Sequence, residues 1–355
     1  MTMLAEVVDA VIGIDTHRDS HEVEIADAVG KPIATMQVSN DSGGFAQLLA
    51  AIAEVVPGRR VAVSIEGTRS YGIGLARALA AAGLQVIECE QPRRKQRRGK
   101  GKSDPIDAHL AVLAALRLDA NRVPVPRADG DREALRILLV ARLELAVACN
   151  AQGGRLRALL LAGDDADRRA ARKTLSKTAL AGLTGRDLPA GASREHTVRH
   201  AGICRLALAL DQARLQLKDN RAQLLAIVED IAPGLTSRFG VRPVSAAQAI
   251  VSFSHPGRCR SEAAFAALGG TSPIPASSGQ TVRHRLNRGG DRNLNRAIHA
   301  IALVRMRSCP RTRAYVARRT AEGKTTREIR RCLKRYIARE LYRQLTRSMN
   351  PPVGP

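Results

Sequence analysis

Polar and apolar positions alternate with strand periodicity at the start of the chain and with helical periodicity further on. Val7 to Ile14 is a β-branched apolar run that stops at Asp15. His21 to Ala28 alternates, with Val23 and Ile25 on one face. Gly30-Lys31-Pro32 makes a turn, and Ile33 to Val38 reads as a third strand. Ser42 to Val56 is helical by composition. Arg60 to Ile65 is a fourth strand ending at Glu66, Ile73 to Ala82 a helix stopped by Gly83, and Leu84 to Ile87 a fifth strand. A further helix is expected from Asp104 to about Leu118.

Three strands able to meander, then alternating helix and strand, predict an α/β RNase H-like mixed sheet over residues 1–125. A dinucleotide-binding winding fits less well, since no G-x-G-x-x-G follows the first strand and two early hairpins do not suit it. Residues 126–234 predict a helical, coiled-coil middle. Arg132 to Leu161 is long and Leu-rich with an interruption near Gly153-Gly154, and residues 162–192 read as a loop-rich connection. Ile203, Leu206, Leu210, Ala213, Leu217, Asn220, Leu224 and Ile227 then step by three and four, a coiled-coil seam of about three and a half heptads. Such a seam suits pairing between chains, as a dimer or tetramer, and equally suits packing against the 132–161 helix of the same chain.

Residues 235–348 predict a small, mainly α unit. Thr325 and Glu328 form a capping box, with Thr325 as N-cap. After it, Ile329, Leu333, Ile337, Leu341 and Leu345 make one apolar stripe. The other face carries Arg330, Arg331, Lys334, Arg335, Arg339 and Arg343. That run is either a solvated face or a contact for nucleic-acid phosphate.

Charge changes the picture. Lys and Arg number 57 against 33 Asp and Glu, a net +24, which points to a polyanionic partner and above all to nucleic acid. No basic stretch is paired with a lipid-facing apolar stripe, so a membrane surface is disfavoured. No apolar run reaches the roughly 18 residues of a membrane span, and the first residues lack signal-peptide order, so a cytoplasmic protein is expected. The six cysteines form no C-x-x-C pair, which argues against a zinc site and for reduced thiols. Aromatics are 2% with no Trp, so phosphate contact by Arg and Lys is favoured over base stacking.

Candidate chemistry lies in four carboxylates. Asp15 and Glu66 end two strands that a twisted sheet can set side by side. Asp104 and Asp107, three apart at a helix start, point to one face. Gathered together they would repel unless cations were bound, and all-oxygen ligands suit Mg²⁺ or Mn²⁺. Two such ions can activate an attacking oxygen and stabilise a leaving one in phosphoryl transfer. By spacing alone, Asp104 and Asp107 also suit a helix cap and a dipole-favoured acid. His17 and His109, beside these acids, are surface or assisting groups. Just before Asp104 the chain carries seven bases and no acid: Arg93, Arg94, Lys95, Arg97, Arg98, Lys100 and Lys102. Such a loop would draw phosphates towards the acids, while a localisation-type signal is the rival reading.

Gly13-Ile14-Asp15-Thr16-His17, Glu66-Gly67-Thr68 and Lys102-Ser103-Asp104-Pro105-Ile106-Asp107-Ala108 together resemble the three blocks of the DEDD transposases, insertion sequence family 110. The resemblance continues in Pro275-Ala276-Ser277-Ser278-Gly279-Gln280 and in Arg288 to Arg296. It implies a RuvC-like N-terminal domain whose four acids, Asp15, Glu66, Asp104 and Asp107, bind metal. It also implies a nucleophilic serine that forms a phosphoserine bond with DNA. Ser278, before Gly279, matches best, and Ser277 is the alternate. Arg283, Arg285, Arg288, Arg292 and Arg296 surround that block as candidate phosphate clamps. His284 is either a proton shuttle or a phosphate or structural contact. The family further implies DNA targets and donor ends, a structured guide RNA, a homo-oligomer, and a bacterial, nucleoid-associated setting. The chain shows no zinc finger or basic zipper for reading the major groove, which is consistent with RNA guidance.

Two other functions remain open on the residues. One is an RNase H-like, metal-dependent nuclease of junction-resolvase type, with Ser278 structural. The other is a non-catalytic nucleic-acid-binding protein.

Overall fold

The computed structural model describes residues 2–89, 104–188, 190–275, 284–285, 287 and 289–349, with backbone alone at Asp104 and His284. The chain divides into two compact units. The first comprises Met1–Glu133, Phe253–Phe265 and Met349–Pro355, and the second Ala134–Ser252 and Ala266–Ser348.

The first unit is built on β1 (Ala10–Thr16), β2 (Ser20–Asp27), β3 (Pro32–Ser39), α1 (Ser42–Val55), β4 (Val61–Glu66), α2 (Ile73–Ala81), β5 (Gln85–Cys89) and α3 (Asp104–Leu116). The sheet order is β3-β2-β1-β4-β5. β1 to β3 form the expected antiparallel meander, and β4 and β5 add in parallel beside β1. Each expected element is present with only its ends shifted.

Alternation along each strand covers both faces. Ile12, Ile14, Val63 and Ile65 join Leu48, Ile52, Leu75 and Leu79 of α1 and α2 in one core. Val11, Ala26, Ala62 and Ile87 join Val112, Ala115 and Leu116 of α3 in the other. Central strands buried on both sides lack a polar face, which is why β1 reads as a continuous apolar run. Asp41 caps α1, its Oδ1 accepting from the Gly44 N–H at 2.9 Å. In the same unit Phe253 and Phe265 meet edge to face, centroids 6.0 Å apart.

The second unit holds α4 (Gly130–Leu161) past its first turn, α5 (Asp165–Arg172), α6 (Lys177–Thr184), α7 (Arg194–Ile231), α8 (Pro243–Phe253) up to Ser252, the end of α9 (Glu262–Leu268), β6 (Ile274–Pro275), β7 (His284–Arg285), α10 (Arg292–Ser308), α11 (Pro310–Ala321) and α12 (Thr326–Met349). Two expectations are corrected here. α4 runs unbroken through Gly153-Gly154, and the core that its Leu156 and Leu160 share with Leu206 and Leu210 of α7 outweighs weak helix propensity. The connection expected over 162–192 holds two short helices. Asp164 and Ser176 cap them, accepting from the N–H groups of Asp167 and Ala179 at 2.8 and 3.1 Å.

Most of the α7 seam is buried within the chain. Ile203, Leu206 and Leu210 share a core with Leu156 and Leu160 of α4 and with α5 and α6. Further along, Asn220 Nδ2 donates to the Leu138 carbonyl at 2.9 Å and Arg142 donates to the Leu217 carbonyl at 3.1 Å. The capping box is present too: Thr325 N–H donates to Glu328 Oε2 at 2.9 Å, and its stripe from Ile329 to Leu345 is buried. Among the described residues no helix is long and apolar enough to cross a membrane, and no two cysteines form a disulfide.

Candidate active site

Asp15 and Glu66 are placed by strand register. β1 and β4 pair in parallel up to Ile14–Ile65, so the next rung sets Asp15 beside Glu66. The same rung continues through Glu22 and Gln37 on one side and Cys89 on the other. Side chains alternate in a strand, so Asp15 shares a face with Val11 and Gly13, and Glu66 with Ala62 and Ser64. That face is the one α3 covers.

α3 reaches the sheet closely. A Cβ at Gly13 would lie 2.1 Å from the Ala108 carbonyl oxygen, so only glycine allows this approach. Asp107, next to Ala108 in the first turns of α3, is therefore held against the face that carries Asp15. Asp15, Glu66 and Asp107 are 7%, 8% and 5% exposed. Asp104 starts the helix three residues earlier, and its side chain lies outside the described residues. Among the described residues no three His, Cys, Asp or Glu groups come within reach of one ion. Asp15, Glu66 and Asp107 therefore do not by themselves close a metal set.

The turn after Glu66 is equally constrained. Gly67 has φ +79°, and a Cβ there would meet Thr16 Oγ1 at 2.4 Å. Thr16 Oγ1 instead donates to the Glu66 carbonyl at 2.8 Å, tying the two strand ends together. The two histidines both engage acids. His17 Nε2 stands 3.4 Å from Asp15 Oδ2, and His109 Nδ1 is 2.6 Å from Glu24 Oε1.

Beside this edge opens a cavity of about 740 Å³, lined by Glu66, Thr68, Arg69, Tyr71, Glu88 and Arg127 among others. Two arginines and two glutamates supply its charge. Arg127 grips the buried Glu88 with two hydrogen bonds, and Arg69 Nε is 3.3 Å away. Burial pushes the Glu88 pKa up, but Arg127, Arg69 and Arg258 outweigh it and hold the group below its ordinary value. Burial, then Arg127, lowers the Arg132 pKa to about 10, with Arg258 and Arg69 adding to the same effect. Three guanidinium groups, those of Arg127, Arg69 and Arg258, thus act on one carboxylate within the first unit.

Sequence reasoning missed Glu22, Glu24 and this Glu88–arginine cluster. For Glu22 and Glu24 the alternation of β2 was the available signal. The arginines come from separate loops and carry no period.

In the second unit, β6 and β7 pair antiparallel through Ile274–Arg285 and Pro275–His284. Ser277, Ser278 and Arg283 fall in the chain between these strands and, like Arg288, lie outside the described residues. So do Arg93, Arg94, Lys95, Arg97, Arg98, Lys100 and Lys102. Arg285 is exposed on β7, and Arg292 and Arg296 are exposed on the first turns of α10. Asp291 caps that helix, accepting from the N–H groups of Asn293 and Leu294 at 2.8 and 3.0 Å.

Comparison with known proteins defines a transposase in both parts of the chain. Residues 12–162 match the transposase family DEDD_Tnp_IS110, and residues 232–317 match the transposase family of IS116, IS110 and IS902. A protein of insertion element IS900 from Mycobacterium paratuberculosis is 26% identical, across 88% of this chain and 89% of its own length. A protein of insertion element IS110 from Streptomyces coelicolor is 33% identical over 123 residues, 34% of this chain and 30% of that protein. The chain belongs to the IS110 family of DEDD transposases, enzymes of DNA transposition and recombination.

Proposed function

We propose that this transposase cuts and rejoins DNA by metal-dependent phosphoryl transfer, with Asp15, Glu66, Asp104 and Asp107 holding Mg²⁺ or Mn²⁺ and Ser278 forming the bond to DNA. The observation that carries this reading is the shared face: Asp15 and Glu66 are neighbours on one rung, and Asp107 is held over the same side by the contact of α3 with Gly13. The donor set fits a hard cation, being all carboxylate and, where described, nearly buried. The strand order supports reading the first unit as RNase H-like and RuvC-like. The proposed division is a RuvC-like domain over 1–125, a helical middle over 126–234 and the serine domain over 235–348.

When bound, the metal supplies Lewis-acid stabilisation of the reacting phosphoryl group. The rest falls to the protein. Arg69 and Arg127 supply positive potential beside Glu66 that draws a phosphate to the acid edge. Ser278 Oγ attacks phosphorus; the Ser278 Oγ–P bond forms as the bond from phosphorus to the 3′-oxygen breaks, leaving a 5′-phosphoserine and a free 3′-hydroxyl. That linkage conserves the energy of the cut strand for rejoining.

A structured guide RNA choosing target and donor DNA is part of the proposal, supported by the net charge of +24. So is a homo-oligomer, supported by Ile137, Val140, Leu143 and Val147, an exposed apolar stripe on α4.

The test incubates the protein with end-containing DNA, the RNA that copurifies with it, and Mg²⁺. The expected result is a covalent protein–DNA adduct that Ser278→Ala abolishes. Cleavage without an adduct, retained in Ser278→Ala, would replace the reading with a metal-dependent nuclease whose Ser278 is structural. Binding without any metal-dependent cleavage would leave a non-catalytic nucleic-acid-binding protein. Sequencing the copurifying RNA tests guidance, which fails if no species encoded beside the gene is enriched.

A further inference from the structure

The second unit contains a cavity of about 340 Å³ where the β7 end of the hairpin and the Gly270–Pro273 stretch face α12. Arg285, Arg331, Lys334, Arg335 and Arg339 line it, with Tyr336 at its edge, and none of the described lining residues is acidic.

Lys334 sets the problem this cavity poses. It is 8% exposed, and its Nζ donates to Asn295 Oδ1 at 2.6 Å. Among the described residues no carboxylate pairs with it. Its charged neighbour is Arg330, of like sign, and burial followed by Arg330 lowers its pKa below the usual lysine value. His299 on α10 is pushed below its ordinary pKa by burial first and then by Lys334 and Arg330. An ammonium group has three donors, and one neutral amide satisfies one of them. A buried charge is ordinarily paired, and leaving it without a counter-charge is unfavourable. The missing group is an anion.

The site is also organised in advance. Asn295, which orients Lys334, donates through Nδ2 to the Gly269 carbonyl at 2.6 Å, so one side chain fixes both the cation and the backbone leading into β6. Arg331, Arg335 and Arg339 of α12 line the cavity, and the guanidinium is a planar group whose geometry matches phosphate oxygens. Tyr336 is 51% exposed and offers a ring face on which a base can stack.

We infer that this cavity takes a phosphodiester of a nucleic-acid strand, with Lys334 as its central cation and Arg285 and Arg335 flanking it. The choice of a phosphodiester over another phosphate rests on the proposed transposase reading. The cavity belongs to the hairpin that carries the serine block, and the bound phosphate would be held beside its stem.

The test is fluorescence anisotropy with the full chain in EDTA, where no chemistry occurs, using labelled single-stranded DNA and RNA of one sequence across a salt series. A protein inactive in cleavage can still pass it, so its failure is separate from failure of the catalytic reading. Lys334→Gln is expected to weaken binding about tenfold and to reduce the slope of log affinity against log salt by about 0.7. Lys334→Arg is expected to keep that slope, and Arg335→Gln to lose affinity in the same direction. Thermal melting of Lys334→Gln without nucleic acid is expected at or above the wild-type temperature, because an unpaired buried charge is gone. A loss on DNA alone assigns the site to DNA, a loss on RNA alone to RNA, and a loss on both to either strand. Unchanged affinity and slope on both strands, in Lys334→Gln or, should that variant not fold, in Arg335→Gln, would overturn the inference.

Discussion

Gly13 lies beneath Ala108 so closely that a Cβ at position 13 would stand 2.1 Å from the Ala108 carbonyl oxygen and 2.7 Å from Val112. This contact presses α3 onto β1 and carries Asp107 to the face of Asp15. Gly13→Ala is expected to lower folding stability by about 1–3 kcal/mol through overpacking. DNA cleavage should fall in excess of the unfolded fraction, because Asp107 is lifted from its neighbours. Urea unfolding beside a cleavage assay checks this; an unchanged midpoint would mean that the helix shifts freely.

Glu88 holds two cations together at the cavity edge, and its removal should expose how much they repel. Glu88→Gln leaves Arg127 buried without its counter-charge, an expected loss of about 3 kcal/mol at neutral pH. Since the folded Glu88 pKa lies below its ordinary 4.5, the wild-type advantage is present above about that pH and is lost as pH falls through the folded value. Denaturant midpoints of both proteins, followed from pH 7 downward, should converge below pH 4.5. A gap that persists in acid would contradict the ion-pair account.

Asn220 interrupts the apolar seam of α7. Its Nδ2 bonds to the Leu138 carbonyl at 2.9 Å, while its Oδ1 is buried without a hydrogen-bond partner among the described residues. Asn220→Leu should therefore raise stability by about 1 kcal/mol while removing the group that fixes the register of α4 against α7. Thermal melting reads this directly, and a lower melting temperature would show that the amide contributes more than its unsatisfied oxygen costs.

Much of the first unit was legible in the sequence because its elements are local and periodic. Asp15 and Glu66 stand out as acids at the ends of apolar runs, and the capping box at Thr325 and Glu328 is a fixed spacing. The rung that adds Glu22 to Asp15 depends on the register between strands, which no single run discloses. Glu88, Arg69, Arg127 and Arg258 meet from four separate stretches of chain, so their pairing is a product of the fold. Gly153-Gly154 misled because propensity speaks for the isolated helix, whereas the packing of Leu156 and Leu160 against α7 decides in the folded one. The helices over 165–172 and 177–184 were hidden because each is short and holds its place by a cap and little burial, Ala171 in the first and Leu180 and Leu183 in the second.

The acid face is the centre of the account. The most direct test measures Mg²⁺-dependent DNA cleavage by Asp15→Asn, Glu66→Gln and Asp107→Asn, each beside DNA binding in EDTA. Each variant is expected to bind DNA as the wild type does and to cleave at least about a hundredfold more slowly, as when a preorganised electrostatic group is removed from a transition state. Near-wild-type cleavage in any of the three folded variants would contradict it.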